Sequence, residues 1–528
     1  MKIEFKDTGI STLIKNYLAE KEELRSFYHR FPHKENYQKQ AEEKLAHYEH
    51  RETLHNAITK QMAEVNLHDK QKENLKLLKN PKTVTVTTGH QLNLITGPLY
   101  FIYKIIHTIR ICDDLNSNSH DIHYVPIYWM ATEDHDFEEI NHFNTYKKTY
   151  QYDAPSGGFV GDIASFSAKE TLNTFFEDLP DNKFSEDLKS IISKAYKETN
   201  DLSQATRILV NELLGKYGIL ILDGNDKALK ELMIPYFKKE LTTSRTQDII
   251  EDTNVQLSAY KNQAYAREIN LFYLHNNQRE RIEKVKDKFI LVDSNTTFTE
   301  DSFIEILRNH PERFSPNVIL RPLYQEVILP NVAYVGGGGE IAYWLQLKAM
   351  FSAYHITFPM LVLRNSMLIL PNAMKHKASS LDLISAKMFK PKFELKREIV
   401  EANSNLFKQV EILKQRLAKN FDALEEIAKQ TGDDFAQMVR AQKKKQMNGY
   451  DKLNHRLNLS EQKQQDAIIK KLEETYDYMF PQGNWQERYI NFSEFYKYNG
   501  SDLFAKIYSA ISPFNSRYHV ITLDSILK

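Results

Sequence analysis

The chain has 528 residues, of which 41% are hydrophobic and 27% charged, with a mean hydropathy of −0.54. Lys plus Arg total 70 and Asp plus Glu total 70, which excludes strong long-range attraction to nucleic acid or an anionic membrane. A single cysteine, Cys112, excludes an internal disulfide, and the lack of a secretory signal or a spanning apolar run predicts a cytoplasmic protein with no membrane partner.

Residues 1–80 are heavily charged and predicted to be helical, packing on the core that follows. The run TVTVT at 83–87 predicts a strand that ends in a glycine turn at 88–90. A helix is predicted to open at Pro98, because proline suits the first helical turn. The second apolar run, at 124–131, leads directly into acidic residues. Strand, turn, helix and strand in this order indicate the start of a doubly wound parallel sheet.

The middle of the chain, from about residue 168 to 278, is predicted to be mostly helical, with one strand at 218–224. Strand and helix alternate again after Lys288. The strands expected there are FILVD (289–293), NVILR (317–321), VAYV (332–335) and FPMLVLR (358–364). We therefore predict an α/β fold whose Rossmann-like parallel-sheet core spans residues 81–385 and contains inserted helical and connective segments at about 150–290.

Between Leu395 and Ala428, apolar residues recur at spacings of four, three and four. An 11-residue repeat of this kind predicts one long helix with a nearly straight apolar seam. A turn is expected at 431–433, so residues 390–480 are predicted to form a coiled-coil hairpin. Such a hairpin favours a homodimer, and a stalk that contacts only its own chain is the alternative. Residues 481–528 are predicted to return to the core.

Three polar clusters follow predicted strands, where ligands of an open parallel sheet bind. In the first, a glycine turn leads into a helix N-terminus and offers backbone N–H groups to phosphate or carboxylate. A plain strand-to-helix turn is the alternative. The candidate substrate-binding residues of this cluster are Gly89, His90, Gln91, Thr96, Gly97 and Lys104.

The second cluster is the acidic segment at 133–142. If it is helical, His135, Glu139 and His142 share one face, which suits an acid–base pair or a metal. The alternative is that its carboxylates only cap a helix N-terminus. We predict no metal site here. The predicted catalytic residues are His135, Asp136, Glu133 and His142, and the predicted substrate contacts are Asp134 and Asn141.

The third cluster is a glycine run before an aromatic helix, where backbone can approach a ligand closely. Its candidates are Gly336, Gly337, Gly338, Gly339, Glu340 and Tyr343. Arg321 and Arg364 are predicted to end two further strands. A guanidinium placed there can pair with a carboxylate or phosphate, and a structural ion pair is the alternative for each.

Five segments together resemble the cysteine ligase family of bacillithiol biosynthesis. They read TGHQLNLITGPLYFIYK, PIYWMATEDHDFEEINH, LRPLYQEVILP, AYVGGGGEIAYWLQLK and FPMLVLRNS. The resemblance covers residues 83–366 in order, and the total length, the coiled coil and WQERYIN at 485–491 agree with it. Two residues depart from the family's pattern, His90 where glutamine is common and Gly338 where proline is common.

The resemblance implies a Rossmann-like core similar in outline to class I aminoacyl-tRNA synthetases, and a coiled-coil homodimer. It also implies a ligase that joins cysteine to the amine of glucosaminyl-malate. A carboxylate is a poor electrophile, so we expect activation by ATP with Mg²⁺. The alternatives are a metal-dependent hydrolase built on the segment from Glu133 to His142 and a non-catalytic coiled-coil scaffold.

Within that reaction, His135 or His142 is the expected base for the substrate amine, oriented by Glu133 or Asp136. The malate carboxylates are expected at the Gly89–His90 turn, at Arg321 or at Arg364. The glycines at 336–339 are expected to line the pocket, and Tyr343 to contact the sugar.

Overall fold

The computed structural model of the protein describes residues 1–118, 121–155, 158–275 and 278–523. The chain divides into two compact units. The first combines Met1–Ile369 with residues 484–523, and the second is Leu370–Gly483. The N-terminal helices therefore belong to the same unit as the central sheet. The sequence pattern places the end of the core near residue 385, whereas the second unit already begins at Leu370.

The first 80 residues form four α-helices, as predicted, and also a short strand that the sequence analysis does not predict. Tyr17 donates to the carbonyl of Leu361 at 2.7 Å, and the Lys44 Nζ donates to the carbonyl of Glu326 at 2.6 Å, so buried polar contacts fasten these helices to the later chain. The elements are β1 (Lys2–Ile3), α1 (Thr12–Leu18), α2 (Asn36–Leu45), α3 (Arg51–Met62) and α4 (Asp69–Leu77).

The next segment carries the first two long buried strands and, after a short helix, a small antiparallel pair. Its elements are β2 (Thr83–His90), α5 (Tyr100–Asn118), β3 (His123–Met130), α6 (Phe137–Ile140), β4 (His142–Asn144) and β5 (Thr149–Gln151). A mostly helical stretch follows, with α7 (Lys169–Glu177), α8 (Lys183–Lys197), α9 (Leu202–Leu214), β6 (Leu220–Asp223), α10 (Lys227–Glu231), α11 (Ile234–Thr242) and α12 (Arg245–Gln256).

An inserted β-rich segment comes next, and the chain then returns to alternating helices and buried strands. The insert contains β7 (Leu271–His275), β8 (Gln278–Val285), β9 (Lys288–Leu291), β10 (Thr297–Thr299), α13 (Glu300–Asn309) and β11 (Phe314–Pro316). The elements after it are α14 (Leu320–Ile328), β12 (Asn331–Gly336), α15 (Gly338–Leu345), α16 (Lys348–Ala353), β13 (Met360–Leu363) and β14 (Ser366–Pro371).

Five strands form the central parallel sheet in the order β13-β12-β2-β3-β6. Their side chains are buried on both faces, as is typical of parallel sheets covered by helices. Thr87 lies opposite Ile127, which fixes the register of the two central strands. The Rossmann-like core expected from the sequence is thereby confirmed, and the strand at 220–223 is one of its edges.

Two predicted core strands are wrong. Residues 289–293 contribute β9, which pairs antiparallel with β8 and β10 in a separate sheet of order β10-β9-β8-β7-β11. Residues 317–321 are not a strand, because the Asn317 side chain accepts from the backbone N–H groups of Ile319 and Leu320 at 2.9 and 3.3 Å. This contact starts helix α14, so Arg321 lies in its first turn and not at a strand end.

The second unit is helical, with α17 (Asn372–Ser380), α18 (Lys392–Ala402), α19 (Leu406–Ala428), α20 (Asp433–Gln464) and α21 (Asp466–Met479). The single long helix predicted before the turn is two helices, which separate at residues 403–405. Helices α19 and α20 run side by side and are joined by ion pairs such as Lys414 to Asp451 at 2.5 Å. The coiled-coil hairpin is therefore present, with a break in each arm.

The chain then returns to the first unit through α22 (Gln486–Tyr489), α23 (Ser493–Asn499), α24 (Asp502–Ala510) and β15 (Tyr518–Leu523). Strand β15 lies between β1 and β14 in a three-stranded sheet. Cys112 is buried in a cluster with Val84, Val86 and Tyr124, consistent with a packing role. Within the described ranges, no helix is both long and apolar enough to cross a membrane.

Candidate functional site

A cavity of about 670 Å³ opens in the first unit at the carboxyl ends of β2 and β3. This is the edge at which a parallel sheet is expected to bind ligands. The residues predicted from sequence that line it are Gly89, His90, Gln91, Lys104, Glu133, Asp134, His135, Arg321, Glu340 and Tyr343.

An ion pair between buried Lys104 and partly exposed Glu340 joins the first and third sequence clusters at the cavity wall. Lys104, from helix α5, donates to the Gly89 carbonyl and lies 2.8 Å from the Glu340 carboxylate. Glu340 also accepts from the Tyr334 hydroxyl at 2.5 Å and from the Gly337 N–H at 2.8 Å. Burial acts to raise the pKa of Glu340, but the charge of Lys104 and these donors hold it below its usual value. Glu340 is therefore an ionised, fully engaged carboxylate.

His90 ends strand β2 and contacts the rings of Tyr100 and Phe101. Its Nδ1 lies 3.1 Å from the carbonyl oxygen of Gln91. Burial, together with the nearby charge of Lys104, lowers the pKa of His90 to about 3. The imidazole is thus neutral at physiological pH, and it presents a hydrogen-bonding group to the cavity but no charge.

The acidic segment after β3 meets the first cluster through Gln91. The Gln91 amide donates to Asp134 at 2.7 Å and to Glu139 at 2.9 Å. Asp134 also accepts from the backbone N–H of His135 at 2.7 Å. Burial would raise the pKa of Asp134, but the hydrogen bonds from His135 and Gln91 outweigh it and lower the pKa to about 2. Asp134 therefore remains charged beside the half-exposed ring of His135.

Glu133 is held by a partner from a distant helix. Lys230, from α10, has no exposed side-chain surface and donates to the Glu133 carboxylate and, at 3.2 Å, to the carbonyl of Glu312. Glu133 lines the cavity but is fixed by this ion pair. Glu133 therefore forms part of the cavity wall and is not placed to orient the imidazole of His135.

Three arginines bring positive charge to the same cavity, Arg267, Arg279 and Arg321. Arg279, from β8, lies 3.7 Å from the centre of the Phe272 ring and donates to Ser315 and to the carbonyl of Pro316, both at 3.2 Å. Burial lowers its pKa to about 10, so it stays charged at neutral pH.

Arg321 donates to Gln325 and to the Tyr343 hydroxyl, both at 3.2 Å. Among the residues that the structure describes, none of the three guanidinium groups has a carboxylate within 4 Å. Unpaired guanidinium groups in a cavity suit a bound carboxylate or phosphate.

Several predicted residues lie outside the cavity lining. Thr96 and Gly97 form the turn before α5, and Asn491 donates to the Gly97 carbonyl, so this turn has a structural role. The glycines at 336–339 join β12 to α15, and a Cβ at Gly338 would contact Ile14 of the N-terminal segment. Their backbone serves a close strand-to-helix connection and does not line the pocket.

Arg364 forms the structural ion pair that was the alternative from sequence. Its guanidinium lies 2.7 Å from the carboxylate of Glu487 and also contacts Ser366 at 3.2 Å. Arg364 and Glu487 are both buried. A buried arginine already paired in this way is not available to the substrate.

The expected helical face of His135, Glu139 and His142 does not form. Helix α6 spans only Phe137–Ile140, and His142 begins β4, where its Nδ1 lies 3.1 Å from the side chain of Asn141. The prediction fails because a four-residue helix cannot carry an i, i+7 relation. Of these three side chains, His135 and Glu139 line the cavity.

Asp136 is the N-cap of α6, accepting from the Glu139 N–H at 3.3 Å, and it is exposed. The capping role left open from sequence is thus the one that its geometry fits. Asn141 is the C-terminal cap of the same helix and is buried.

Across residues 1–118, 121–155, 158–275 and 278–523, no three His, Cys, Asp or Glu side chains are grouped to hold a metal ion. The metal-dependent hydrolase would need such a set on the segment from Glu133 to His142. This geometry does not favour that alternative.

The sequence interpretation missed Lys230, Arg267, Arg279 and Tyr265, which all contact or line the site. Each lies outside the strand-end motifs, in the helical middle or in the insert. Lys230 carries one usable signal, since it sits in a short helix shortly after the Asp-Gly that ends β6.

Two family descriptions match the chain. Residues 1–365 match "Bacillithiol biosynthesis BshC, N-terminal Rossmann-like domain", and residues 367–523 match "Bacillithiol biosynthesis BshC, C-terminal coiled-coil domain". Three relatives named "Putative cysteine ligase BshC" align along nearly the whole length. The protein of Flavobacterium johnsoniae is 40% identical, with 99% of each chain covered. Those of Flavobacterium psychrophilum and Christiangramia forsetii are 41% and 39% identical, with 98% of each chain covered.

Proposed function

Because the chain belongs to the bacillithiol biosynthesis BshC family, we propose that it is the ligase that joins the carboxylate of L-cysteine to the amine of glucosaminyl-malate. The observation that carries this proposal is the group of three cavity arginines without a carboxylate partner among the described residues. The malyl group brings two carboxylates, which such guanidinium groups bind as planar forks.

Arg279 and Arg321 are the proposed carboxylate ligands. Both keep their neutral hydrogen-bond partners, Ser315 and Gln325, so the side chains are oriented before substrate enters. An oriented guanidinium loses little conformational freedom on binding. The dicarboxylate would also offset the positive charge of these two guanidinium groups.

Asp134 and Glu139 are proposed to bind the cationic ammonium groups of the substrates. Gln91 bridges the two carboxylates, and Asp134 is ionised at any physiological pH because its pKa lies at about 2. A charged carboxylate beside the acceptor amine also keeps that amine close to the base.

His135 is the proposed general base. Its Nδ1 lies 3.6 Å from the Asp134 carboxylate, so a protonated Nδ1 faces an anion and leaves Nε2 as the acceptor. In the reaction, the acceptor ammonium gives one proton to Nε2, and the resulting amine nitrogen bonds to the carbonyl carbon of cysteine and releases a second proton to solvent. The carboxylate oxygen of cysteine departs with the activating group.

ATP with Mg²⁺ would supply the activation that a free carboxylate lacks. ATP and Mg²⁺ are inferred from the reaction type, because Arg279 and Arg321 are assigned to the malyl carboxylates and Asp134 and Glu139 to the ammonium groups. The tasks of the chain's own residues are to orient both substrates and to take up one proton.

We also propose that the second unit supplies a homodimer interface. Leu406, Leu413 and Leu424 belong to the apolar seam of residues 395–428, yet they are exposed on α19. Phe407 and Ala428 of the same helix are buried against other residues of the hairpin. A second copy of the same hairpin presents the matching apolar stripe.

The direct test uses purified protein with glucosaminyl-malate, cysteine, ATP and Mg²⁺, and mass spectrometry of the product. The cysteinyl amide should form, and omitting ATP should abolish it. Serine should replace cysteine poorly, because a pocket shaped for a thiol leaves the hydroxyl unpaired. A cell that lacks this protein and still makes normal bacillithiol would overturn the proposal.

A further inference from the structure

Residues 265–267, here called the clamped segment, lie between two buried side-chain amides that hold the backbone at both ends. The segment belongs to a stretch without regular secondary structure, residues 261–270. Its two long side chains, Tyr265 and Arg267, both line the cavity. Neither residue belongs to a motif that the sequence singles out.

At the N-terminal end, the clamp is Gln346, which is buried. Its Oε1 accepts from the backbone N–H groups of Gln263 and Ala264, both at 3.1 Å, and its Nε2 donates to the carbonyl of Ala264 at 2.9 Å. The same Nε2 also contacts the Asn254 side chain. One side chain thus fixes both polar groups of Ala264, the residue just before Tyr265.

At the C-terminal end, the clamp is Asn270, which has no exposed surface. Its side chain accepts from the N–H of Arg267 at 3.0 Å and donates to the carbonyl of Arg267 at 2.8 Å. Asn270 is itself held by Glu240 at 2.8 Å and by Asn317 at 2.9 Å. Because the Asn317 side chain also accepts from the N–H groups of Ile319 and Leu320, this contact ties the clamped segment to the start of the helix that carries Arg321.

The side chains between the clamps are exposed. The Tyr265 side chain is 71% exposed, although burial of an aromatic ring is favourable. A fixed backbone that displays an exposed tyrosine and an arginine into a cavity is arranged for a ligand. Buried amides are costly unless they are fully hydrogen-bonded, and here they are used to fix this segment.

We infer that the clamped segment is a subsite for an anionic sugar, in which Tyr265 packs against the apolar face of the hexose ring and Arg267 pairs with a carboxylate of the same ligand. This inference rests on the proposed function and names the part of the cavity that recognises glucosaminyl-malate. A hexose suits the exposed edge because it has one apolar face and a hydroxyl rim that stays hydrated. Glucosaminyl-malate carries a sugar ring and carboxylates in one molecule. Tyr265 and Arg267 are separated by a single residue, so the two side chains can contact both parts of that ligand.

The test is titration calorimetry of the full-length protein with glucosaminyl-malate and, separately, with L-malate. Tyr265→Ala should weaken the affinity for glucosaminyl-malate by about 2- to 13-fold and leave the affinity for L-malate unchanged, because only the sugar contact is lost. Tyr265→Phe should bind both ligands as the wild type does. Arg267→Gln should weaken the affinity for each of the two ligands by roughly 10- to 100-fold, the usual effect of losing a charged hydrogen bond.

Phe166→Ala is the matched control, since Phe166 is 68% exposed and lies outside the cavity lining. The inference is overturned if Tyr265→Ala binds glucosaminyl-malate as tightly as the wild type, or if the wild type does not bind it at all. Product formation is measured on the same samples. If binding depends on Tyr265 but no amide product forms, the subsite is supported and the ligase reaction is rejected. If Tyr265→Ala ligates normally with unchanged affinity, the ligase reaction is supported and the subsite is rejected.

Discussion

The Nη1 of Arg279 lies 3.3 Å from the Nδ1 of His135. A guanidinium can only donate, so Nδ1 must act as an acceptor in this contact. The Asp134 carboxylate lies 3.6 Å from the same nitrogen and can only accept. Arg279 and Asp134 thus favour opposite tautomers of His135. If a substrate carboxylate binds Arg279, the Nδ1 of His135 can carry the proton and donate it to Asp134. Nε2 is then free to take a proton from the substrate.

We expect His135→Ala to lower kcat by about 10²- to 10⁴-fold, the usual effect of losing a general base. Asp136→Asn is the neighbouring control, because asparagine caps a helix as well as aspartate does and should leave turnover nearly intact. Mass spectrometry of product and melting temperature together separate catalysis from folding. Near-normal turnover in His135→Ala would return that residue to a structural role.

The pair of Lys230 and Glu133 should dominate stability near the site, because its members are 0% and 13% exposed. Lys230→Met should lower the free energy of unfolding by about 3–5 kcal/mol, since it leaves Glu133 without its counter-charge. Adding Glu133→Gln should recover part of that loss. Urea denaturation of the two single variants and the double variant measures this coupling, and strictly additive losses would contradict it.

Because His90 is neutral in the folded protein, the free energy of unfolding should decrease as the pH is lowered. Its pKa is about 3 in the folded protein, against about 6.5 in an unfolded chain. Between these values the unfolded state binds a proton that the folded state does not, so the free energy of unfolding decreases as pH falls through this window. One such group contributes a slope of up to ~1.4 kcal/mol per pH unit.

His90→Gln should flatten the stability curve between about pH 6 and 4, because glutamine does not titrate. Buried groups such as Asp223, whose pKa is raised to about 6 by burial, contribute with the opposite sign in both proteins and cancel in the comparison. Urea midpoints at a series of pH values supply the two curves. Parallel curves would show that His90 is protonated or solvated in the folded state.

The exposed seam of α19 should hold two copies together. Replacing Leu413 and Leu424 with glutamate places charges on that seam, and light scattering should then report one chain of 61.9 kDa in place of two. Val255→Glu is the control, because Val255 is 72% exposed on a helix of the first unit. A mass that does not change in the double variant would exclude this interface.

Local patterns predict the central part of the fold and half of the site. The β-branched run before Gly89 and the apolar run before Glu133 are typical of buried parallel strands. Their ends therefore place His90, Gln91, Asp134 and His135 correctly at one edge of the sheet. These predictions depend only on a few adjacent residues.

The remainder depends on contacts between distant residues. Arg279 comes from the insert and Tyr265 from the irregular stretch just before it, where the sequence shows no motif, and both reach the cavity only through the folding of the chain. Arg364 looks like a ligand-binding residue at a strand end until Glu487, more than a hundred residues later, occupies it. The spacing of His135 and His142 suggests one helix face, but the chain leaves the helix after Ile140.

The three-stranded sheet has a consequence for the order in which the protein is made. Strand β1 pairs with β15, and β14 is completed by residues that follow the helical hairpin, including Glu487, which accepts from the N–H of Met367 at 2.8 Å. A ribosome must therefore translate the whole hairpin before the first unit can close. At about 5–20 residues per second this delay is on the order of ten seconds. During that time β1 and β14 both lack β15, the strand that pairs with each of them, and their unpaired backbone groups could pair with another chain.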